Sequence, residues 1–229
     1  MKVDLPPSLT HLEPRLPTPA LHLPPVIDQK DPAEATRFLT HYYCSGKFIG
    51  GRWDAFDPSG TRIADADRFT GDDVASTALL NTPMDGSAVE QLLVTRRDEF
   101  TELLRAAGPD RDFIDVDPDP QGEDMRPVFT LYEALKSLPD VGPTTASKLL
   151  ARKRPNLFAI IDSALLNTVF RETRKDTYIG RQRLHEVLAG NDGATWKRLL
   201  SYRQAAGLGD EVSALRVFDV LAWMTAKGY

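Results

Sequence analysis

The sequence predicts a mainly α fold: a helical domain with a helix-hairpin-helix element, a small N-terminal β-hairpin and an extended proline-rich N-terminal arm. Three observations predict it. Apolar residues recur at helical spacing over most of the chain beyond residue 31, almost without a break from Leu131 onward. Only Lys47–Phe56, around Gly50-Gly51, has the alternation and turn chemistry of a hairpin. Seven prolines stand within the first 31 residues, where they block regular ladders.

The size supports one sizeable domain, expected over residues 32–229. The chain has 229 residues, 41% of them hydrophobic. Its single cysteine, Cys44, excludes an internal disulfide framework and a cysteine-ligated iron–sulfur cluster within one chain. No apolar stretch approaches the roughly 20 residues of a membrane span, and Met1–Pro7 lacks a signal-type apolar run. The expectation is a cytoplasmic protein with no membrane partner.

Taken in order, residues 1–31 mix prolines with Leu5, Leu9, Leu12, Leu16, Leu21, Leu23, Val26 and Ile27. Such an arm is expected to lie on its own domain, on a partner chain or on a second copy. Asp31 and Pro32 then start a helix to Tyr43, the aspartate as cap and the proline in the first turn. Thr70, with Asp73 three residues on, predicts a capping box; that helix should bury Val74, Ala78 and Leu79. A further helix is expected from Ser87 to Ala107, and an acidic loop from Gly108 to Arg126. Later helical periods cover 131–138, 144–153, 163–171, 180–188 and 194–206. The last helix, from Ser213, is apolar on most faces and should be central.

The most informative stretch is Leu138-Pro139-Asp140-Val141-Gly142-Pro143-Thr144-Thr145-Ala146. Pro139 stops one helix. Asp140 and Gly142 both tolerate a left-handed backbone. Pro143 suits the first position of the next helix. Such a turn presents backbone amides at a helix N-terminus, which favour a phosphate oxygen. Lys148 and Arg152, on the helix that follows, would add a salt-dependent attraction. The candidate nucleic-acid contacts are therefore Val141, Gly142, Thr144, Thr145, Lys148 and Arg152. Charge supports a local basic surface: residues 136–229 hold 15 basic and 9 acidic residues, the remainder 13 and 24.

The same residues resemble the hairpin of the helix-hairpin-helix DNA glycosylase superfamily, with its pattern Leu-Pro-Gly-Val-Gly-x-x-Thr-Ala. That family places an essential aspartate at the start of a later helix, after a short apolar segment. Here Leu157–Ile161 leads into Asp162, 18 positions after Thr144. The resemblance is strongest over residues 131–170. It implies a duplex-DNA partner and a base flipped into a pocket. It also implies that Asp162, as the catalytic residue, stabilises a developing oxocarbenium-like charge or activates water. The chain departs from the family pattern at three positions. Thr144 stands where lyase members carry lysine, so the resemblance implies hydrolysis without strand cleavage. Asp140 replaces the first hairpin glycine, and Ala164 the histidine common after the aspartate. The whole chain is also similar to a bacterial family of uncharacterised proteins with this hairpin and a Trp-Met near the C-terminus.

Two functions follow. One is a DNA-binding protein, with single-step base excision as its enzymatic form. The other is a non-catalytic DNA-binding or protein-interaction module that keeps the fold; in it Asp162 is simply a helix cap. No cofactor or metal is expected. His11, His22, His41 and His185 lack metal-ligand spacing, and the run Asp110–Asp124 does not fit an EF-hand. Trp53, Tyr42 and Tyr43 are expected to pack on the hairpin, and Trp196 and Trp223 in the core.

Overall fold

Ten α-helices make up the main regular structure of the computed structural model over the described residues, 20–229, and no strand is among them. Residues 1–19, most of the expected arm, lie outside the described residues. From Ala20 the chain lies on its own domain. The His22 amide donates to the Val169 carbonyl at 3.0 Å. Helix α1 (Pro25–Asp28) buries Val26 and Ile27 completely or nearly so. Helix α2 (Ala33–Cys44) starts beside Asp31, whose Oδ1 accepts from the Ala33 amide at 3.0 Å.

The expected β-hairpin at Lys47–Phe56 is absent; Ile49–Arg52 is a 3-10 turn. The glycines serve close approach rather than strand reversal. A side chain at Gly50 would run into the Tyr42 hydroxyl, and one at Gly51 would stand 2.9 Å from the Tyr42 carbonyl. The carbonyls that a second strand would offer are already taken. Trp53 and Phe56 accept from the Arg152 guanidinium, the former at 2.8 Å, and Asp54 from Arg62.

Helix α3 (Gly71–Leu79) has the expected capping box between Thr70 and Asp73. Its buried face is not the apolar one expected. Asp73, Ser76 and Thr77 are buried, while Ala78 is exposed and Val74 and Leu79 only partly covered. The helix is turned so that Asp73 meets α7, and an ion pair thus overrides the hydrophobic periodicity. The expected helix from Ser87 to Ala107 is two, α4 (Gly86–Glu90) and α5 (Arg97–Ala106), joined by a π-helical turn at Gln91–Thr95. A π turn shifts the helical repeat by a residue, and Ala88, Leu92, Phe100 and Leu104 all reach the core.

The C-terminal half follows the sequence closely. Helix α6 (Arg126–Lys136) packs on both α5 and α7 (Pro143–Lys153). Between α6 and α7 Asp140 takes a left-handed backbone (φ 56°), as expected. Gly142 does not; it is extended (φ −81°, ψ 177°) and caps α7 ahead of Pro143. Helix α8 (Ser163–Asn167) begins at Asp162. Helix α9 (Thr177–Ala205) breaks at Gly190–Gly193, where Asn191, Asp192 and Gly193 are all left-handed. The two helical periods on either side are therefore real. Helix α10 (Ala214–Ala226) is central: it packs against α2, α8 and α9, and its residues from Ala214 to Ala222 are buried.

Helix α7 also carries four buried basic residues in a row of seven positions: Lys148, Arg152, Lys153 and Arg154. The last three are compensated within the protein. Arg152 and Lys153 pair with the buried Asp73 at 3.4 and 2.5 Å. Arg154 donates to the carbonyls of Gly108 (2.6 Å), Ala66 (2.9 Å) and Leu104 (2.9 Å). Lys153 reaches the carbonyl of Asp65 at 3.0 Å. The segment from Ser45 to Phe69 has no α-helix and no strand, so its carbonyls need such donors. Arg152→Met leaves Asp73 to Lys153 alone and strips the Trp53 and Phe56 carbonyls of their Arg152 donor; it should cost about 3 kcal/mol or more, as broken buried ion pairs do. Urea unfolding checks this, and a loss below about 1 kcal/mol, the range of surface pairs, would contradict it.

Candidate functional site

Asp162 is fixed by two local features. Ser147 of α7 lies beneath the apolar segment that leads to it, and the Ile161 amide approaches its Oγ at 3.4 Å. Asp162 Oδ1 then accepts from the Leu165 amide at 3.0 Å and caps α8. Among the described residues the second carboxylate oxygen makes no hydrogen bond, and the residue is only partly buried. It lines a cavity of about 170 Å³ together with Lys148, Asp219, Tyr42, Phe48 and Trp223. Exposed Lys47, Ile49 and Asn81 form part of the same lining and mark its mouth.

One wall is built around Arg216, 5% exposed on α10. Its Nε donates to Asp54 at 3.2 Å, and Nη1 makes a short bond to Asp219. Nη2 donates to the Tyr42 hydroxyl at 3.1 Å and to the Gly50 carbonyl at 3.2 Å. Burial opposes the charge on Arg216, but Tyr42, Asp54, Tyr43 and Asp219 more than reverse that effect, and its pKa stands well above the usual arginine value. Tyr42 stacks on Phe48 (centroids 5.3 Å apart, planes at 13°), and Trp223 meets both edge-on.

Lys148 is 5% exposed and makes one hydrogen bond, to the Leu80 carbonyl at 2.7 Å. Burial lowers its pKa, with Asp219 and Asp162 pulling the other way. Burial pushes the Asp219 carboxyl up to about 6 against the pull of Arg216, and the neighbouring Asp162 adds to the rise. The cavity therefore combines one spare cationic donor, two carboxylates with spare oxygens and an aromatic wall.

The expected phosphate-binding residues are placed differently from their expected arrangement. Val141 is buried and its amide is spent on the Leu138 carbonyl at 3.2 Å. Gly142, Thr144 and Thr145 keep amides without a protein partner among the described residues, and Gly142 is exposed. Lys148 faces the cavity, and Arg152 is 2% exposed, locked onto Asp73, Trp53 and Phe56. Neither is a surface cation. The basic surplus of the C-terminal part is largely internal. Of its 15 basic residues Lys148, Arg152, Lys153, Arg154, Arg181 and Arg216 are buried, against Asp219 alone of its 9 acids. What faces solvent is close to neutral.

Sequence reasoning missed Tyr42, Phe48, Trp223, Arg216 and Asp219 as parts of one site. A signal existed for the last two. Arg216 and Asp219 are the only charges in Ala214–Ala226, three positions apart on one face of a helix that is otherwise apolar or neutral. A buried helix carries such a pair only when both groups have partners. Two further expectations change place. Trp223 is only partly buried and lines the cavity, and Tyr42 belongs to its wall rather than to a hairpin. Trp196 is in the core, as expected.

The chain belongs to a family of unknown function (DUF6308), whose profile matches residues 35–226. No curated protein and no solved structure matches it. No helix among the described residues is long and apolar enough to cross a membrane.

The raised Asp219 pKa has a consequence for stability. Its folded value, about 6, lies above the ordinary 3.8. Protonation therefore favours the folded state, and this contribution, full below about pH 4, is lost as pH rises through about 6. Asp219→Asn cannot titrate. The stability of wild type relative to this variant should therefore increase as pH falls from about 7.5 to about 5. Chemical unfolding of both proteins across that range checks it; a difference independent of pH would contradict the assignment.

Proposed function

We propose that this member of the DUF6308 family is a DNA-binding protein of helix-hairpin-helix type that works on one base at a time, as a monofunctional glycosylase-like enzyme. The observation that carries this reading is the Asp162 oxygen that is unbonded among the described residues, at a ring-sized, aromatic-walled cavity, beside the helix whose first-turn amides likewise have no partner among them. Cavities of roughly 150 Å³ hold a benzene-sized ring, so a flipped base is a fitting occupant. Asp162 would face the sugar–base bond as charge develops on the sugar, and stabilise it or orient water. The first step of binding would rest on the amides of Gly142, Thr144 and Thr145.

A second reading is a non-catalytic binding module. Its support is the interior placement of Lys148 and Arg152, which removes two cations from the phosphate-facing surface. The two readings separate experimentally. Asp162→Asn keeps the cap, since asparagine caps as well as aspartate. In the enzymatic reading this variant loses abasic-site formation on damaged duplexes and still binds them; equal product from both proteins would remove the catalytic role. DNA affinity should have a shallow salt dependence, with a log–log slope of about 2 or less, because amides rather than cations hold the phosphates. Fluorescence anisotropy at several salt concentrations measures it. No binding at low salt would end both DNA readings.

A further inference from the structure

The groups around the cavity also define its occupant. Lys148 has three donors and, among the described residues, a single protein acceptor, the Leu80 carbonyl, which leaves two of its N–H bonds unmatched there in a position 5% exposed. Asp219 accepts from Arg216 through Oδ2, and Asp162 caps α8 through Oδ1; among the described residues the other oxygen of each is unbonded. Polar groups with spare capacity at a cavity are completed by a ligand or by water. Arg216 cannot serve as an anion clamp, since all three of its nitrogens are engaged within the protein. Two carboxylates beside the cavity further disfavour an anionic occupant. The match is a neutral molecule with an acceptor and a donor side by side on one edge. The volume, about 170 Å³, suits a single ring.

We propose that the cavity binds a single-ring oxo-pyrimidine, with Lys148 donating to a ring carbonyl and Asp219 accepting from the adjacent N–H. Uracil presents that pair through its imide edge; cytosine presents a related acceptor–donor pair through its unprotonated ring nitrogen and the adjacent amino group. Purines offer similar polar edges but carry a second ring. The aromatic wall of Tyr42, Phe48 and Trp223 supplies apolar contact for the rest of the ring. This inference takes its nucleobase context from the function proposed above, but the pocket chemistry can be tested without DNA.

The test is a titration of the full chain with free uracil and free cytosine, followed by saturation-transfer NMR. Adenine, guanine and 1,3-dimethyluracil, which lacks the ring N–H, serve as comparators. At least one of the two pyrimidines should bind, with each comparator at least tenfold weaker. Lys148→Met should weaken pyrimidine binding at least tenfold. The ligand comparison needs no variant, so it decides the matter even if Lys148→Met does not fold. Purines binding equally well, dimethyluracil binding equally well, or absence of pyrimidine binding overturns the inference. Failure here is distinct from failure of the function. Base release from purine lesions alone would keep the glycosylase reading and overturn this one. Pyrimidine binding without base release from any damaged duplex would keep this inference and remove the enzymatic reading.

Discussion

The structure depends on the cations of α7 being turned inward. An irregular segment such as 45–69 cannot satisfy its own carbonyls, because it forms neither helix nor ladder. Arg152, Lys153 and Arg154 supply the missing donors, and Asp73 pairs with two of them. Each of these groups is costly to bury alone. Together they lock α3, the irregular segment and α7 into one unit. The arrangement holds Gly50 close against Tyr42 and so brings the Gly50 carbonyl to Arg216. The cavity wall follows from that contact.

The same fact explains why the surface looks less basic than the composition suggests. A count of lysines and arginines along the chain treats each as solvated. Here the densest cluster, Arg152 to Arg154, is structural, Lys148 faces the cavity, and what the N-terminal end of α7 leaves toward solvent is the exposed Gly142 and the partly covered Thr144 and Thr145. Recognition through amides gives position rather than strong attraction.

Most of the helical framework was legible because it rests on local chemistry. The capping box of Thr70 and Asp73, the stop at Pro139, the left-handed Asp140 and the cap at Asp162 are written within a few residues each. The failures share a cause: each was decided by a partner far away in the chain. Gly50-Gly51 carries the mark of a hairpin turn, yet its neighbour is Tyr42 of α2, packed from the other side. Ala78 fits an apolar stripe, but Asp73 turned the helix toward Arg152, 79 positions on. At the site, Asp162 was visible from its interval to the hairpin. Its meeting with Tyr42, Lys148 and Asp219 was not, because these residues come together only in three dimensions.

The fourfold engagement of Arg216 has a consequence for how such a site can change over evolutionary time. Its partners come from α2, from the 3-10 turn after it, from the buried Asp54 and from its own helix. Replacing it would disturb four places at once, so the floor of the cavity and the integrity of the fold are inherited as one character. Asn81, Lys47 and Ile49 carry no such burden; they are exposed at the mouth. Diversification among relatives should therefore be concentrated at the rim, with a fixed interior chemistry behind a variable entrance.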